Sequence, residues 1–264
     1  MKVAILGCGP TGLIAALAAE TLGHEVVIYS RKKKSQTFGA MYLHMPIPGI
    51  SPEEPEMEIQ VVKMGSREGY AMNVYGDVRA KVSWDKFQDG PTPGWDLALA
   101  YDKLWLRYDH KIVDIALTGR IVDQLANDHD IIFSTIDRRV LCECWLHEFT
   151  GVEIAVVHGP LDDEHRWNVM YYNGLPPNGL GSWYRYSVIR GYQSWEYSLF
   201  NLPTFLQGER VREGLFVVRG IKPLATNCNC RPEIHRLGRF GKWHKHAFTH
   251  HSWQEVRDAL QQLR

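Results

Sequence analysis

The sequence has no excess of charge of one sign and no long apolar run, and we expect no leader segment. Thirty basic and thirty acidic residues cancel among 264 residues, so no overall field favours a nucleic acid or a membrane surface as partner. No stretch approaches the roughly eighteen apolar residues of a membrane span. The N-terminus also has no cleavable signal pattern. We therefore expect a cytoplasmic protein with no membrane partner, in which any polyanion is bound by a local patch.

Cysteine is scarce, and its five residues are odd in number, which argues against a disulfide framework. Cys8 lies inside a glycine-rich loop, and the others form two CxC pairs, Cys142/Cys144 and Cys228/Cys230. Zinc sites usually use CxxC spacing, whereas residues i and i+2 of a strand share a face for packing reasons alone. We therefore predict structural thiols and no metal, with zinc as the alternative. The lack of a CxxC pair excludes dithiol chemistry.

The most informative motif lies in the first twelve residues, MKVAILGCGPTG. There a short apolar strand is followed by glycines at GxGxxG spacing. Gly7 permits a tight turn, Gly9 lets the backbone approach a pyrophosphate, and Gly12 lets the next helix pack on the strand. A helix at Leu13–Leu22 and a β-rich run at His24–Tyr29 complete a βαβ unit. We predict a dinucleotide site, with a glycine turn that only packs as the alternative.

The rest of the chain alternates between helical and strand patterns. Helices are predicted at Leu97–Tyr108, from the cap Thr118 to Ala126, and from the capping box Ser252/Glu255 to Leu263. Residues 46–55 form an irregular proline-rich crossover, and residues 90–95 and 173–181 form loops. Strands are predicted at Ile59–Met64, Tyr70–Tyr75, Val78–Trp84, Lys111–Ile115, Asp130–Thr135, Glu153–Val157, Trp167–Tyr172, Trp183–Ile189 and Glu196–Phe200.

These patterns predict an α/β protein made of two interleaved units. A Rossmann-like unit with a parallel sheet takes residues 1–50, 95–150 and 220–264. A mainly antiparallel, substrate-side sheet takes residues 51–94 and 151–219. The apolar run DIIFST is typical of a buried parallel strand that returns to the first sheet.

The end of the second strand favours NADP when it is read alone. NAD and FAD sites usually place an acid there, but this sequence has Ser30 followed by Arg31, Lys32, Lys33 and Lys34. Such a run would suit the 2′-phosphate of NADP. A solvated basic loop is the alternative interpretation.

Three further segments resemble the flavoprotein family of glutathione-reductase-type FAD domains, amine oxidases and UDP-galactopyranose mutase. Phe38-Gly39-Ala40-Met41 is similar to a glycine pair after the second strand, with alanine for the second glycine. DIIFSTI at residues 130–136 is similar to a strand that ends beside the cofactor. The stretch RLGRFGKWHKHAFTHHSWQEVRDAL at residues 236–260 is similar to the segment that closes the flavin site. The resemblance covers about half of the chain.

This resemblance implies FAD as cofactor and the positions that would hold it. The glycine loop would bind the pyrophosphate, the end of the second strand and Ile112 the adenosine, and the C-terminal segment the flavin, with a helix start at Ser252 stabilising charge on its pyrimidine. The cofactor-binding residues so implied are Gly7, Gly9, Pro10, Thr11, Gly12, Ser30, Arg31, Gly39, Ala40, Met41, Ile112, Thr135, Gly238, Arg239, Ser252 and Trp253.

The resemblance and the residues together predict an FAD-dependent oxidoreductase that oxidises a carbon–nitrogen bond of an amine-bearing substrate. His44 is the best-placed base, with Tyr186 and Arg190 as further catalytic candidates. The other side chains available above the flavin are Tyr42, Tyr172, Asn173, Tyr184, Arg185 and Trp195. A structural histidine and an aromatic core are the alternatives.

Substrate and partners are less determined. The basic tail from Arg231 to His251 could hold phosphates of FAD, of a nucleotide sugar or of DNA. A small molecule or nucleotide is expected, and a modified DNA base is left open. The alternative functions are a mutase-like, non-redox use of flavin on a nucleotide sugar and an NADP-binding module without catalysis.

Overall fold

A computed structural model describes residues 1–161, 167–176, 183–206, 210–212 and 214–263. Its strands are β1 (Lys2–Leu6), β2 (Glu25–Ser30), β3 (Tyr42–Leu43), β4 (Met57–Gly65), β5 (Gly90–Asp96), β6 (Ile112–Asp114), β7 (Ile131–Ser134), β8 (Phe149–Pro160), β9 (Val169–Gly174), β10 (Trp183–Ile189), β11 (Tyr192–Ser198), β12 (Arg210–Arg212), β13 (Leu215–Thr226) and β14 (His235–Arg236). Its helices are α1 (Pro10–Thr21), α2 (Arg67–Tyr75), α3 (Leu97–Tyr108), α4 (Gly119–Asp128), α5 (Gly238–Lys242) and α6 (His251–Gln262). Each helix in these ranges is too short or too polar to cross a bilayer.

The first sheet has the order β14-β7-β1-β2-β6, and each of its pairings is parallel. Strands β1 and β7 are almost wholly buried, because α1, α3 and α6 share an apolar core on one face and α4 packs on the other. The predicted βαβ unit and parallel sheet are therefore confirmed. The carboxyl ends of β1, β2 and β7 meet along one edge, where open α/β sheets bind their ligands.

The second sheet has the order β12-β13-β8-β11-β10-β9-β4-β5-β3 in the described ranges. Its pairings are antiparallel except that between β4 and β9, so the prediction of a mainly antiparallel sheet is confirmed. The chain contributes β3, β4 and β5 to this sheet first, enters it again at Phe149 and returns to the first sheet after Thr226. These two residues are partners in the β8–β13 ladder, so entry and exit lie side by side.

The prediction of a strand at Tyr70–Tyr75 was wrong, because α2 occupies this segment. Ser66 caps the helix by accepting a hydrogen bond from the Gly69 amide at 3.0 Å, and Gly76 ends it in the left-handed region at φ +71°. Gly69 permits contact with the carbonyl of Gly174, which a Cβ would overlap. The spacing of the buried residues was the missed signal, since they lie at helical intervals, at Tyr70, Ala71, Asn73 and Val74.

Two neighbouring predictions were also wrong. Val78–Trp84 forms turns, followed by a 3-10 turn at Trp84–Lys86, and the predicted turn at residues 90–95 is strand β5. Pro91 and Pro93 are tolerated in this strand because β3 pairs only with Trp95 and Asp96, which leaves an open edge at both prolines. The presence of proline and glycine was therefore not sufficient evidence for a turn at residues 90–95.

The other predicted elements agree with the structure within a few residues, whereas β3, β12, β13, β14 and α5 had no predicted counterpart. Helix α3 spans the predicted residues, and Thr118 caps α4 by accepting from the Ile121 amide at 3.4 Å. Strand β11 starts earlier than predicted and ends at Ser198, after which Leu199–Asn201 forms a 3-10 turn. Residues 46–55 are irregular, as expected. Of the loop predicted at 173–181, residues 177–181 lie outside the described residues.

Candidate functional site

The loop between β1 and α1 has the close backbone contacts that its glycine spacing predicts. Gly7 has φ +106°, and a Cβ there would clash with Thr135 Oγ1, which donates to the Leu6 carbonyl at 3.0 Å. A Cβ on Gly12 would overlap the carbonyl oxygen of Gly7. At Gly9 a Cβ would have no heavy atom of the described chain within 4 Å. Two glycines are thus required by packing, while the third borders open space, as a pyrophosphate cradle requires.

The C-terminal segment closes against this loop. A Cβ on Gly238 would lie 2.8 Å from Thr11 Cγ2, and Thr11 Oγ1 lies 3.4 Å from Thr249 Oγ1. Pro10 is the first residue of α1. Ser252 Oγ lies 3.4 Å from the Thr11 carbonyl oxygen. The two ends of the chain therefore meet at the first turn of α1.

Strand β14 carries the chain into this position. The Leu237 amide donates to the Ser134 carbonyl at 2.8 Å, and a Cβ on Gly241 would clash with the same carbonyl. Helix α5, which holds Arg239, therefore lies against the carboxyl end of β7. This is the edge at which the glycine loop also lies.

The predicted adenosine end contains an acid that sequence reasoning missed. Ser30 at the end of β2 pairs with Asp114 of β6, and the Lys32 amide donates to Asp114 Oδ1 at 3.1 Å. Ile112 pairs with Ile28 two residues earlier. The acid comes from the neighbouring strand rather than from β2 itself, so spacing along one strand could not find it.

The segment of the predicted glycine pair packs on a buried charged group. A Cβ on Gly39, at φ +79°, would lie 2.7 Å from Glu196 Oε1. Arg185 Nε donates to this oxygen at 2.8 Å, and Tyr184 Oη donates to Glu196 Oε2 at 2.7 Å. Ala40 packs against the core of the second sheet, and the Met41 carbonyl accepts from the Leu97 amide at 3.3 Å.

Two more cations lie beside Arg185 and Glu196. Lys222 Nζ lies 4.7 Å from the Tyr184 ring centroid, and burial, with Arg185 and Arg239 nearby, lowers its pKa to about 7. Burial and Arg185 also lower the pKa of Arg239, whose buried Nε has no hydrogen-bond partner among the described residues. Burial would raise the pKa of Glu196, but Arg185 and Lys222 hold it below its ordinary value. One ionised, buried carboxylate therefore lies among three half-buried basic side chains, an arrangement that suits an added anion.

His44 lies at the edge of this group. Its ring is 4.7 Å from Tyr42, 5.6 Å from Phe248 and 5.7 Å from His250, measured between centroids. Partial burial, followed by the charges of Arg185 and His251, lowers the pKa of His44. His44 is therefore neutral at pH 7, the form in which a histidine accepts a proton.

The structure does not bring the other two catalytic candidates to the charged group. Tyr186 stacks on Trp195 at 4.8 Å, on the face of β10 opposite to Arg185, since successive strand residues alternate. Arg190 lies at the β10–β11 turn with φ +50°. Its guanidinium pairs with Asp96 at 3.2 Å and Glu56 at 3.7 Å.

The capping box predicted at Ser252 was wrong, because α6 begins at His251 and its N-cap is His250. Ser252 Oγ instead donates to the Thr249 carbonyl at 2.7 Å, and Ser252 is wholly buried. The Trp253 ring packs partly on the core and lies 5.7 Å from the Arg257 guanidinium. The helix start still faces Thr11, but it lies two residues earlier than expected.

Several side chains of the basic tail form ion pairs or hydrogen bonds with other residues of the same chain. Arg231 pairs with Asp123 and Glu143, Lys242 pairs with Glu255 at 2.6 Å, and Arg236 donates to backbone carbonyls. These side chains are therefore committed to internal partners, which weakens the interpretation of the tail as a polynucleotide surface.

No protein-family model and no curated protein matches this sequence. Solved structures match the fold. A tetrameric form of 2-methyl-3-hydroxypyridine-5-carboxylic acid oxygenase has a TM-score of 0.54 and 12% identity, over 100% of this chain and 82% of the other. Peptidyl tryptophan dihydroxylase QhpG, essential for tryptophylquinone cofactor biogenesis, has a TM-score of 0.52 and 12% identity, over 98% and 65%. Klebsiella pneumoniae HpxO complexed with FAD and uric acid has a TM-score of 0.48 and 11% identity, over 99% and 86%.

The first two likenesses show the fold alone, a mixed α/β fold with a parallel sheet and a second, mainly antiparallel sheet. The predicted fold class is therefore confirmed. These two structures are named as an oxygenase and a dihydroxylase. They give no support to the narrower resemblance to amine oxidases and UDP-galactopyranose mutase.

Proposed function

We propose that this protein is an FAD-dependent oxidoreductase. The observation that carries the proposal is the meeting of the glycine loop with the C-terminal segment, through the contacts of Thr11 with Gly238, Thr249 and Ser252. Such a meeting surrounds one elongated ligand with residues from both ends of the chain. FAD is also the cofactor named for HpxO, although the proposal does not depend on that more distant likeness.

The residues present fit FAD. The open space beside Gly9 and the start of α1 would receive the pyrophosphate. Ser30 and Asp114 would border the ribose at the end of β2, and an acid there opposes the 2′-phosphate of NADP. The NADP-binding module therefore becomes the weaker alternative. In this proposal residues 1–50, 95–150 and 220–264 bind the cofactor, and residues 51–94 and 151–219 bind the substrate.

Buried cations suit the flavin end of this ligand. FAD supplies two-electron transfer, and its reduced ring carries added negative charge. Arg239 has a buried Nε without a partner among the described residues and is therefore available to an anion, and Lys222, with a pKa of about 7, would take up a proton beside one. The start of α6 adds the positive end of a helix dipole.

The same charges bear on the substrate. Arg185, Lys222 and Arg239 face a single acid, Glu196, so an ammonium substrate would meet net repulsion. An acidic or anionic small molecule would be attracted. This balance favours oxygenation of such a molecule, in keeping with the names of the two structures that share the fold.

Oxidation of a carbon–nitrogen bond is the second candidate, and neutral His44 is the observation that favours it. A neutral imidazole could take the proton of a substrate ammonium before its oxidation. Mutase-like chemistry on a nucleotide sugar has no comparable observation in its favour. Action on a DNA base loses support because Arg231, Arg236 and Lys242 already have internal partners.

The visible spectrum of the purified protein and a matched glycine pair test the cofactor. Gly9→Val should fold, because its side chain meets open space, but it should lose flavin because it fills the cradle. Gly220→Val also enters open space, in strand β13, and should keep flavin. A colourless wild type that gains no flavin bands with added FAD would refute the proposal, as would full flavin retention by Gly9→Val.

The reaction class is tested by anaerobic reduction of the loaded protein. An oxygenase should be reduced by NADH or NADPH, faster when an acidic aromatic compound is bound, and should consume oxygen afterwards. An amine oxidase should be reduced by an amine alone. Reduction by amines without any pyridine nucleotide would therefore replace the first candidate by the second.

A further inference from the structure

Four potential metal ligands meet outside the cofactor site. The ligand atoms of Cys142, His147, Cys228 and Cys230 all lie within 4.8 Å of one another. Cys142 and His147 belong to the segment between β7 and β8, and the other two belong to the segment between β13 and β14. The group therefore joins two crossings between the sheets.

The distances between these atoms fit the tetrahedral coordination of one metal ion. His147 Nδ1 lies 3.4 Å from Cys142 Sγ and 3.5 Å from Cys230 Sγ. An ion about 2.3 Å from sulfur and about 2.0 Å from nitrogen places tetrahedral S and N ligands about 3.5 Å apart. The observed separations are thus those of ligands that share one central ion.

Hydrogen bonds hold both segments in place without using the ligand atoms. The Glu148 amide donates to Asn227 Oδ1 at 2.8 Å, and Thr226 Oγ1 donates to the Glu148 carbonyl at 2.6 Å. Thr226 Oγ1 also accepts from the Cys228 amide at 3.1 Å. The ligands are therefore brought together by backbone that is already well paired.

The charge of the surroundings also fits. Three thiolates and a dication carry a net charge of about −1, and two guanidinium groups lie nearby. Arg138 donates to the Cys228 carbonyl and Arg236 donates to the Cys230 carbonyl. Such donors stabilise a thiolate-rich site.

We propose that Cys142, His147, Cys228 and Cys230 bind a structural Zn²⁺. Thiolate and imidazole are the ligands that zinc prefers, and four protein ligands leave no open position for a substrate. The ion ties the start of β8 to the segment that leads through β14 to Arg239. This proposal takes up the zinc alternative to the predicted structural thiols, with His147 rather than Cys144 as the fourth ligand.

Metal analysis of the purified protein tests this site, with Cys144 as the internal control. Cys144 contributes only its carbonyl to the local hydrogen bonds, so Cys144→Ser should keep about one zinc ion per chain, as in the wild type. Cys228→Ser should lose most of its zinc. In the wild type, Co²⁺ should replace zinc and give the visible bands of a tetrahedral thiolate site.

Two results would overturn the proposal. One is a wild-type protein that contains no zinc and gives no tetrahedral Co²⁺ spectrum after reduction of its thiols. The other is a disulfide among these cysteines in the native protein, detected by mass spectrometry. If Cys228→Ser does not fold, the wild type can be titrated with a reagent that forms mercury–thiolate bonds. Release of zinc in proportion to the thiols titrated would then show that these cysteines bind the ion. Flavin content is measured separately, so this outcome is independent of the proposed function.

Discussion

The fold places charged residues of this protein next to one another in a way that the sequence does not predict. Arg185 and Glu196 lie between aromatic residues and Lys222 lies between Ile221 and Pro223, and nothing in the sequence separates them from a solvated edge. Their burial together follows from β10, β11 and β13 lying in one sheet. Gly12 could be interpreted from spacing because the carbonyl oxygen that it approaches belongs to Gly7, five residues earlier, whereas the contact of Gly7 with Thr135 is made only by the fold.

At the residue scale, Lys222→Met should lower the reduction potential of the bound flavin. The loss of one cation beside an anionic ring costs about 1.4 kcal/mol or more, equivalent to about 30 mV for two electrons. The pKa of Lys222 is about 7, so its charge is present below pH 7 and is lost as the pH rises above this value. The gap between variant and wild type should therefore be largest near pH 6 and shrink with rising pH. Dye-equilibrated anaerobic reduction measures it.

Lys103→Met is the matched control, because Lys103 bonds to the Ile50 carbonyl on the exposed side of α3. It should leave the potential unchanged. Equal potentials for Lys222→Met and the wild type at pH 6 would remove Lys222 from the flavin site.

At the element scale, α1 and α3 are joined by a charged contact around Glu20. Its carboxylate accepts from Arg107 and Tyr108 at 2.7 Å and from Lys111 at 2.5 Å. Partial burial would raise the pKa of Glu20, but these three partners lower it to about 2. The contact fixes the C-terminal end of α1 against α3 and therefore the helix that carries the glycine loop.

Glu20→Gln should lower the free energy of unfolding by about 1–3 kcal/mol at pH 7. Because the folded pKa lies below the unfolded one, this stabilisation is fully present above about pH 4.5 and is lost as the pH falls toward 2. The difference between wild type and variant should therefore narrow in acid. Urea unfolding at pH 7 and pH 3 measures it. Glu25→Gln, at an exposed position, should show little change, and an equal loss in both variants would contradict this account.

Elements were predictable where their signals were local. Helix α4 and strand β7 could be placed because the cap Thr118 marks the first and an uninterrupted apolar run marks the second. Strand β5 was missed because its prolines are tolerated only where no second strand pairs, and that depends on the length of β3. The start of α6 was misplaced because Ser252 is buried against Thr11 and Thr249, contacts made by the fold rather than by the helix.

At the scale of the whole molecule, a substitution of Gly238 tests the contact between the two ends of the chain. Gly238→Ala would place a Cβ 2.8 Å from Thr11 Cγ2 at φ +66°. It should lose about 1–2 kcal/mol from backbone strain and, in addition, retain less flavin. Gly191→Ala shares the positive φ, at +73°, but meets open space, so it should lose stability only. Thermal unfolding and the flavin-to-protein absorbance ratio report the two effects. Equal flavin content in both variants would show that the contact between the chain ends does not shape the proposed flavin site.

The pairing of Phe149 with Thr226 places the two ends of the segment from β8 to β13 side by side at the first sheet. The segment is nevertheless tied to the rest of the chain, because β9 pairs with β4 along six residues. A change in the length of its turns need not displace β7 or β14, whereas exchange of the whole segment would leave β4 without its partner strand. A protein engineer would therefore insert foreign sequence at a turn of this segment and keep β9 unchanged.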